Sequence, residues 1–203
     1  MKKLIVASSN KGKIREIQEI LGSEYNVVGC NDAGFTGDIE ETGKTFYENA
    51  LIKAMTVAKK LGVPVISDDS GLCVNALSGE PGLFSARYSP EGTDKSNREL
   101  LLSNMKNITD RSAEFVCTMV YYDPADGKTF TATGKTDGEI LYAPQGENGF
   151  GYDPIFLPDG YDQTFGEMPQ ELKNRISHRA AAFKMALNFV EDEMSVLDDD
   201  FDL

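Results

Sequence analysis

The stretch AEFVCTMVYYD, residues 113–123, is the strongest strand signal in this chain. Successive side chains of a strand point to opposite faces, and here both faces are apolar. Phe115 and Met119 lie on one face, and Val116 and Val120 lie on the other. A strand that is apolar on both faces needs cover on both sides. The stretch therefore predicts a central strand.

The sequence on either side of this strand predicts an alternation of strands and helices. Turn residues at 124–127 are followed by a polar, edge-like strand over 129–135. Short apolar runs predict further strands at 4–7 and 25–29, and one that begins at Val65 and ends at Asp68 and Asp69. Helical spacing and capping residues predict four helices: one that ends at Gly22, one from Thr45 to Gly62, one that begins at Thr93 or Asp94, and one that begins at Ser177.

Length and charge limit the classes of function. At 203 residues the chain is expected to form one domain, assigned to residues 1–193, with 194–203 as an acidic tail. The net charge of −13 argues against nucleic acid as the main partner. Seven of the 33 acidic side chains lie in residues 191–203, which contain no basic one. The rest of the chain can still form a basic pocket for a small anion.

The sequence also predicts a protein of the cytoplasm. No run approaches the roughly 18 apolar residues of a membrane span, and the apolar start of the chain is too short for a signal peptide. We therefore expect no membrane partner. Cys30, Cys73 and Cys117 are scattered, which predicts neither a disulfide framework nor a zinc site and fits a reducing compartment.

Two adjacent carboxylates, Asp68 and Asp69, follow the apolar start of the run VISDDSG at residues 65–71. If the strand ends there, both acids can face a cleft. Paired carboxylates in a cleft suit a divalent metal or a water that must lose a proton. Asp, Ser and Gly are also common in turns, so a simple turn is the alternative.

A second candidate site lies in residues 8–13, SSNKGK, between a predicted strand and helix. Backbone N–H groups at the start of a helix attract anions, and Lys13 adds a full charge. The loop lacks the P-loop pattern. Its alternative is a well-capped helix with surface lysines.

Two further stretches are unusual. In GFGYDPIF, residues 149–156, glycines flank Phe150, which leaves its ring free to stack on a ligand. The alternative is a kinked strand with core aromatics. Ser177, His178 and Arg179 begin the last helix, where cations are unfavourable without an anionic or oxygen-rich partner. A lone histidine can also be incidental.

A nucleoside triphosphate would explain these stretches together. Its phosphates bind lysine and backbone N–H groups, and its Mg²⁺ binds carboxylates and water. Its base needs an aromatic platform and a few polar groups along one edge. The sequence therefore predicts a small-molecule nucleotide as the partner and Mg²⁺ as the cofactor.

These stretches resemble the Ham1-like family of inosine/xanthosine triphosphate pyrophosphatases. The resemblance rests on motifs that run in order across about residues 4–190: Ser8-x-Asn10-x-x-Lys13-x-x-Glu16, Glu40-Glu41-Thr42-Gly43, Phe46-x-Glu48-Asn49-Ala50, Ser67-Asp68-Asp69-Ser70-Gly71-Leu72, Pro81-Gly82-x-x-Ser85-Ala86-Arg87-Tyr88, residues 149–156 and Ser177-His178-Arg179. It implies an elongated mixed α/β fold with two lobes around a central cleft, and a homodimer. It also implies Mg²⁺-dependent hydrolysis of ITP, dITP and XTP to the monophosphate and pyrophosphate.

The resemblance also implies roles for individual residues. Ser8, Ser9, Asn10, Lys11, Gly12 and Lys13 would hold the triphosphate, helped by Lys53. Glu41 and Asp69 would bind the metal, and Asp69 would be the general base. Asp69, Lys13 and Asp68 form the predicted catalytic set. Ser70 would contact the substrate, and the base would be held by Phe150, Gly151, Tyr152, Asp153, Lys173, His178 and Arg179.

Two other functions compete with this one. A related pyrophosphatase acting on modified pyrimidine or methylated nucleotides would share most of the site. A nucleotide sensor without catalysis would not need a water-activating carboxylate beside a metal, so Asp69 argues against it. A purely structural protein fits the motifs least.

Overall fold

The computed structural model describes residues 1–199, with side chains described for residues 1–187 and 189. The strands are β1 (Lys2–Val6), β2 (Tyr25–Gly29), β3 (Val65–Val74), β4 (Ser112–Tyr122), β5 (Thr129–Ile140) and β6 (Phe156–Pro158). The α-helices are α1 (Lys11–Leu21), α2 (Phe46–Leu61), α3 (Asp94–Asn104), α4 (Gln170–Ile176) and α5 (His178–Asp199). Short 3₁₀ turns occupy Asn75–Leu77, Gly82–Arg87 and Asp153–Ile155.

The described residues form one mixed sheet of six strands in the order β2-β1-β3-β4-β5-β6. β1 is parallel to β2 and β3, and the pairs from β3 to β6 are antiparallel. β4 lies inside the sheet, as its apolar residues on both faces predicted. Helices cover both faces: α1 and α5 pack on one, and α2 packs on the other.

The strand after β4 differs from its prediction. The polar run at 129–135 pairs only with β4 among the described strands, as expected of an edge strand, but β5 continues to Ile140, and its end at Gly138–Ile140 pairs with β6. Its polar residues are tolerated because only alternate side chains face the α5 side. There Gly134 lies so close to α5 that an added Cβ would meet the carbonyl oxygen of His178.

The predicted capping residues act as expected. Thr45 Oγ1 accepts from the backbone N–H of Glu48 at the start of α2. Thr93, one of the two predicted caps, forms a capping box with Ser96 at the start of α3. Ser177 Oγ accepts from the N–H of Ala180 in the first turn of α5. Helix α5 includes Met194–Asp199 of the predicted tail, and residues 200–203 lie outside the described residues.

The buried apolar side chains of the described residues form three clusters. Two lie on opposite faces of the sheet, around Ile66 and Val65 at the start of β3. The third contains Leu72 and Val74 at the other end of β3, together with Phe115 on β4. The middle of β3 therefore runs between apolar cores, and the acidic pair lies there. Among the described residues, none of the helices combines the length and the apolar character needed to cross a bilayer.

Candidate functional site

A cavity of about 430 Å³ opens beside the middle of β3. This volume suits a nucleotide-sized ligand. Most of the residues predicted from the sequence line it: Ser8, Ser9, Asn10, Lys13, Glu41, Lys53, Asp69, Ser70, Phe150, Gly151, Tyr152, Asp153, Lys173, His178 and Arg179. These residues come from both ends of the chain, and β3 and its neighbours bring them together.

The acidic pair is not at a strand end, which corrects the prediction. Asp68 and Asp69 lie within β3, opposite Met119 and Thr118 of β4. Adjacent residues of a strand point to opposite faces, so the two carboxylates separate. The cleft arises because β1 pairs with β3 only at Ile66, which leaves the following part of β3 uncovered by β1.

The two carboxylates consequently have different surroundings. Asp69 lines the cavity, whereas Asp68 is 1% exposed and lies behind it. Asp68 Oδ2 lies 3.0 Å from Lys13 Nζ and 3.4 Å from Arg179 Nε. Burial favours the neutral acid, but Lys13 and Arg179 outweigh it and hold the pKa of Asp68 far below its usual range. Asp68 is thus a permanent anion that organises two cations.

The phosphate-loop prediction is matched by local geometry at the start of α1. Asn10 caps the helix, since its Oδ1 accepts from the backbone N–H of Lys13 at 3.1 Å. Ser8 Oγ in turn accepts from the N–H of Asn10. Lys13 and the loop before α1 both line the cavity, so a helix N-terminus and an ammonium group are available to an anion there.

Two residues of the same loop do not line the cavity. Lys11 is exposed, and nothing in the structure supports a phosphate contact by its side chain. Gly12 instead lies against Phe150: a Cβ at this position would be 3.1 Å from Phe150 Cδ1. Gly12 therefore brings the predicted phosphate loop and the predicted aromatic platform into contact.

A single ammonium group joins the two predicted metal ligands. Lys53 Nζ lies 2.9 Å from Glu41 Oε1 and 2.9 Å from Asp69 Oδ1. The two oxygens are therefore no more than twice that distance apart, and they share this one ammonium group. Arg87, a residue given no role from the sequence, lies 3.4 Å from the other oxygen of Glu41. Asn49 Nδ2 donates to Asp69 Oδ2 at 3.3 Å.

Asp69 has the electrostatics of a base. Burial raises the pKa of its carboxyl group, an effect that Lys53 only partly offsets. A carboxylate with a raised pKa is a stronger base. Burial would lower the pKa of Lys53, but Asp69 and the other nearby acids raise it overall, so the lysine stays charged.

These residues fit a divalent cation. Within the described part of the chain, no group of three or more acidic, histidine or cysteine side chains is suited to a metal. Glu41 and Asp69 alone would supply two carboxylates. Mg²⁺ is commonly held by one or two carboxylates, with waters and substrate phosphates completing its shell. The place of Lys53 between the two acids shows that they already accommodate positive charge.

A buried network of charges forms the other side of the cavity. Lys173 Nζ lies 2.5 Å from Glu16 and 2.6 Å from Asp153. Arg179 Nη1 lies 2.5 Å from the second oxygen of Glu16. Burial would raise the pKa of Glu16, but Arg179 and Lys173 lower it overall. Burial raises the pKa of Asp153, with Lys173 opposing it.

Phe150 covers this network. Lys173 Nζ lies 5.0 Å from the centre of its ring, and the guanidinium carbon of Arg179 lies 5.8 Å from it. The backbone N–H of Phe150 donates to Asp153 Oδ2 at 2.8 Å. The half-buried ring stands beside the cations, at a place where a planar base can stack.

His178 is buried rather than solvated. Its ring stacks on Phe115 with 4.7 Å between the centroids. Burial lowers the pKa of His178 well below its usual value. The helix therefore begins with a neutral imidazole followed by one cation, Arg179, which Glu16 and Asp68 neutralise. The prediction of an anionic partner at this helix start holds for Arg179 and not for His178.

Several residues in or near the cavity carried no predicted role. Glu16 and Arg87 lie within the family motifs, but nothing local in the sequence shows which cations or acids they meet. Asn49, which donates to Asp69, also lies in a motif. Ser85, Asp94 and Phe35 line the cavity; the sequence marked Ser85 only as part of a motif and Asp94 only as a possible helix start, and it gave no signal for Phe35.

Comparisons with known proteins agree with this architecture. A model of the Ham1 family matches residues 4–189. A dITP/XTP pyrophosphatase of Staphylococcus aureus (strain N315) is 45% identical over 197 residues, covering 97% of this chain and 100% of that protein. The Bacillus subtilis dITP/XTP pyrophosphatase is 45% identical over 195 residues, covering 94% and 98%.

The fold has also been seen in a solved structure. The structure of the Staphylococcus aureus Ham1 protein matches with a TM-score of 0.84 at 44% sequence identity, covering 95% of this chain and 100% of that one. The prediction of a mixed α/β sheet flanked by helices is confirmed.

Proposed function

Since a family model and relatives at 45% identity cover nearly its whole length, this chain belongs to the Ham1 family, as its motifs predicted, and we propose that it hydrolyses non-standard purine nucleoside triphosphates. ITP, dITP and XTP would be converted to the monophosphate and pyrophosphate with Mg²⁺, which would remove them from the nucleotide pool. The relatives are named pyrophosphatases, and the prediction that the chain is an enzyme is thereby confirmed.

One observation carries the proposal. Lys53 links Glu41 and Asp69 through two 2.9 Å contacts, and the same cavity contains the start of α1 with Lys13. A pair of acids and a lysine-and-amide site for phosphate, facing one space, are what hydrolysis of a polyphosphate requires.

The phosphate chain would bind at the start of α1. Ser8, Ser9 and Asn10 line the cavity there, and Lys13 is held in place by Asp68. An ammonium group and backbone N–H groups stabilise the charge that develops on the departing pyrophosphate. Lys53 would contribute from the opposite side, since it already contacts both acids.

Asp69 would activate the attacking water. Its raised pKa favours proton uptake, and it lines the cavity in which the water would be held. Water oxygen would bond to the α-phosphorus while its proton passes to Asp69. The bond from the α-phosphorus to the bridging oxygen would break, and pyrophosphate would leave.

The metal fits the same pair of acids. Glu41 and Asp69 would hold Mg²⁺, with waters and phosphate oxygens as its other ligands. When bound, Mg²⁺ supplies charge neutralisation to the phosphate oxygens. Lys53 and Arg87, which now contact these carboxylates, would keep the acids in place.

The base would stack on Phe150 beside Lys173 and Arg179. Arg179 offers only donors, so it can pair with the oxygen at position 6 of hypoxanthine or xanthine. Adenine carries an amino group there and would leave donors facing donors. Each unpaired buried group costs about 1–3 kcal/mol, which favours the 6-oxo purines. Ser70, Tyr152, Asp153 and His178 would complete the walls of this part of the cavity.

Product analysis tests the proposal. Incubation of the protein with ITP and Mg²⁺ should yield IMP and pyrophosphate, and ITP and XTP should exceed dTTP and m⁵UTP in kcat/KM. Release of IDP and phosphate would contradict attack at the α-phosphorus. A preference for the pyrimidines would favour the related pyrophosphatase, and binding without turnover would favour a sensor.

Assembly and location are also part of the proposal. The family resemblance implies a homodimer, and the scattered cysteines of the sequence fit the cytoplasm. Light scattering coupled to size-exclusion chromatography should give twice the 22.2 kDa mass of one chain. A mass equal to one chain at micromolar concentration would exclude the dimer.

A further inference from the structure

We propose that the start of helix α3 is a clamp that holds the Phe150 platform in place. Asp94 and Arg98 of α3 are hydrogen-bonded to the backbone N–H and carbonyl groups of Gly151, the residue next to Phe150. This inference rests on the proposed function, in which the purine base stacks on the ring of Phe150. The clamp itself is a matter of structure and can be tested without any substrate.

The clamp consists of two hydrogen bonds to one residue. Asp94 Oδ2 accepts from the N–H of Gly151 at 2.8 Å, and Arg98 Nη1 donates to the carbonyl oxygen of Gly151 at 2.5 Å. Residues four apart lie on the same face of a helix. Both contacts cross more than fifty positions of the sequence, so they join parts of the chain that meet only in the folded protein.

The loop that carries Phe150, between Gly149 and Gly151, needs an external restraint. Gly149 and Gly151 both have positive φ, at 73° and 60°. Glycine loses more conformational freedom on folding than any other residue, so a loop with two of them is intrinsically mobile. Within the loop, the N–H of Phe150 is bound by Asp153. Asp94 and Arg98 add two hydrogen bonds from helix α3, which lies outside the loop.

Helix α3 is itself well anchored. Its first turn is closed by the Thr93 capping box, and Leu101 is fully buried in the third cluster. The side chain of Asn97, which is 2% exposed, binds the backbone of Ser89 and the carbonyl oxygen of Ala86. A rigid helix can therefore fix the loop, because its own position is set by the core.

The clamp acts on the base end of the ligand and not on the phosphate end. Phe150 lies over Lys173 and Arg179, and its opposite neighbour is Gly12. Release of Gly151 would let the ring leave this position while Lys13 and Lys53 keep their acidic partners. Asp94 and Arg98 are thus positioning residues, and their loss should weaken binding of the base selectively.

A tryptophan reporter tests the clamp directly. The chain contains no tryptophan, so Phe150→Trp places a single reporter on the platform. Adding Arg98→Met, which keeps the apolar stem and removes the donors, should lower the anisotropy of the reporter and raise its quenching by acrylamide. Asp94→Ala should act likewise. Asp94→Asn retains an acceptor oxygen and should give the same signal as Phe150→Trp alone.

A matched control comes from the exposed face of the same helix. Glu99 pairs only with Lys95 among the ion pairs seen, and both side chains are largely exposed. Glu99→Ala should leave the reporter unchanged. An unchanged reporter in both Arg98→Met and Asp94→Ala would overturn the clamp, whatever the activity of the wild-type protein. A signal that moves equally in Glu99→Ala would also overturn it, because the effect would then belong to the helix as a whole.

Ligand binding tests the role of the clamp. In the wild-type background, Arg98→Met should raise the Kd for IMP about five- to tenfold, because binding must then order the Phe150 loop that the wild-type clamp already holds. The Kd for inorganic tripolyphosphate, which has no base, should stay within a factor of about two. Equal weakening of both ligands would overturn the role in base binding. Failure of the proposed function would show separately, as wild-type protein that does not hydrolyse ITP.

Discussion

The ammonium nitrogen of Lys53 lies 2.9 Å from Oδ1 of Asp69, and the same nitrogen also contacts Glu41. Asp69 projects from the middle of β3, and Lys53 projects from α2, which covers that face of the sheet. The contact places a proton-accepting carboxylate, its neighbouring acid and a permanent positive charge in one corner of the cavity.

Replacement of Asp69 by asparagine should abolish turnover with little effect on the fold. The amide keeps the shape, and its oxygen can still accept from Lys53. The NH₂ group that replaces Oδ2 loses the hydrogen bond from Asn49, and the amide cannot take a proton from water. Loss of general base catalysis corresponds to about 10²–10⁴-fold in kcat. Steady-state kinetics with ITP and calorimetric binding of IMP measure the two effects. Near-normal kcat would remove Asp69 from the mechanism.

Replacement of Lys13 by methionine should weaken binding of polyphosphate more than binding of nucleoside. The charged group contributes about 1.5–3 kcal/mol, or roughly ten- to a hundredfold in Kd. Titration with tripolyphosphate and with inosine compares the two. Lys11→Met is the matched control, since Lys11 is in the same turn of α1 but does not line the cavity. Similar losses for the two ligands, or for the two variants, would contradict a phosphate role for Lys13.

Replacement of Lys173 by methionine should destabilise the protein strongly. The lysine is 1% exposed and lies between Glu16 and Asp153, so its loss leaves buried acids without a partner. Breaking a buried pair in this way costs about 3–5 kcal/mol. Chemical denaturation measures the free energy of unfolding.

Lys135→Met provides the comparison. Lys135 forms an ion pair with Glu114 near the surface, where its side chain is 54% exposed. Loss of such a pair should change the free energy of unfolding by at most about 1 kcal/mol. If Lys173→Met were no more destabilising than Lys135→Met, the buried network would not contribute to the stability of the fold.

His178 should make the protein less stable in mild acid. Burial, and then Arg179 and Lys173, lower its pKa in the folded protein. In the unfolded chain it takes up a proton near pH 6.5. Below that pH the unfolded state binds more protons, so stability is full above pH 6.5 and falls as the pH decreases. The slope is at most about 1.4 kcal/mol per pH unit.

His178→Phe removes the titrating group and keeps a ring against Phe115. The difference in unfolding free energy between wild type and this variant should shift by about 1 kcal/mol between pH 7.5 and 5.5, in favour of the variant at low pH. Denaturation at both pH values provides the measurement. A difference that does not change with pH would show that His178 titrates normally in the folded protein.

The local signals were reliable where they depended on nearby residues. The apolar faces of residues 113–123 placed β4 inside the sheet, and Thr45 and Ser177 cap the helices they were expected to cap. These features depend on side chains and backbone groups a few positions apart. The motifs also identified the family, because they recur in order along the chain.

Contacts between distant elements could not be predicted in this way. The expected strand end at Asp68 and Asp69 was wrong, because the length of β3 depends on its pairing with β4, and the cleft depends on where β1 stops. The strand expected at 129–135 does lie at an edge over those residues, but its continuation to Ile140 was missed, because that end of β5 is fixed by its pairing with β6. In both cases the partner strand, β4 or β6, lies elsewhere in the sequence, so the local pattern does not indicate it.

Residue types, their spacing and their order were enough to indicate a nucleotide enzyme of the Ham1 family and to name most of the residues around its cavity. Only the folded chain decided that Asp68 is buried behind Lys13 while Asp69 faces the cavity, and that Glu16 joins Lys173 to Arg179. The reason is that alternation along a strand follows from local geometry. The charge that each side chain meets depends on helices that pack against the sheet from far away in the sequence.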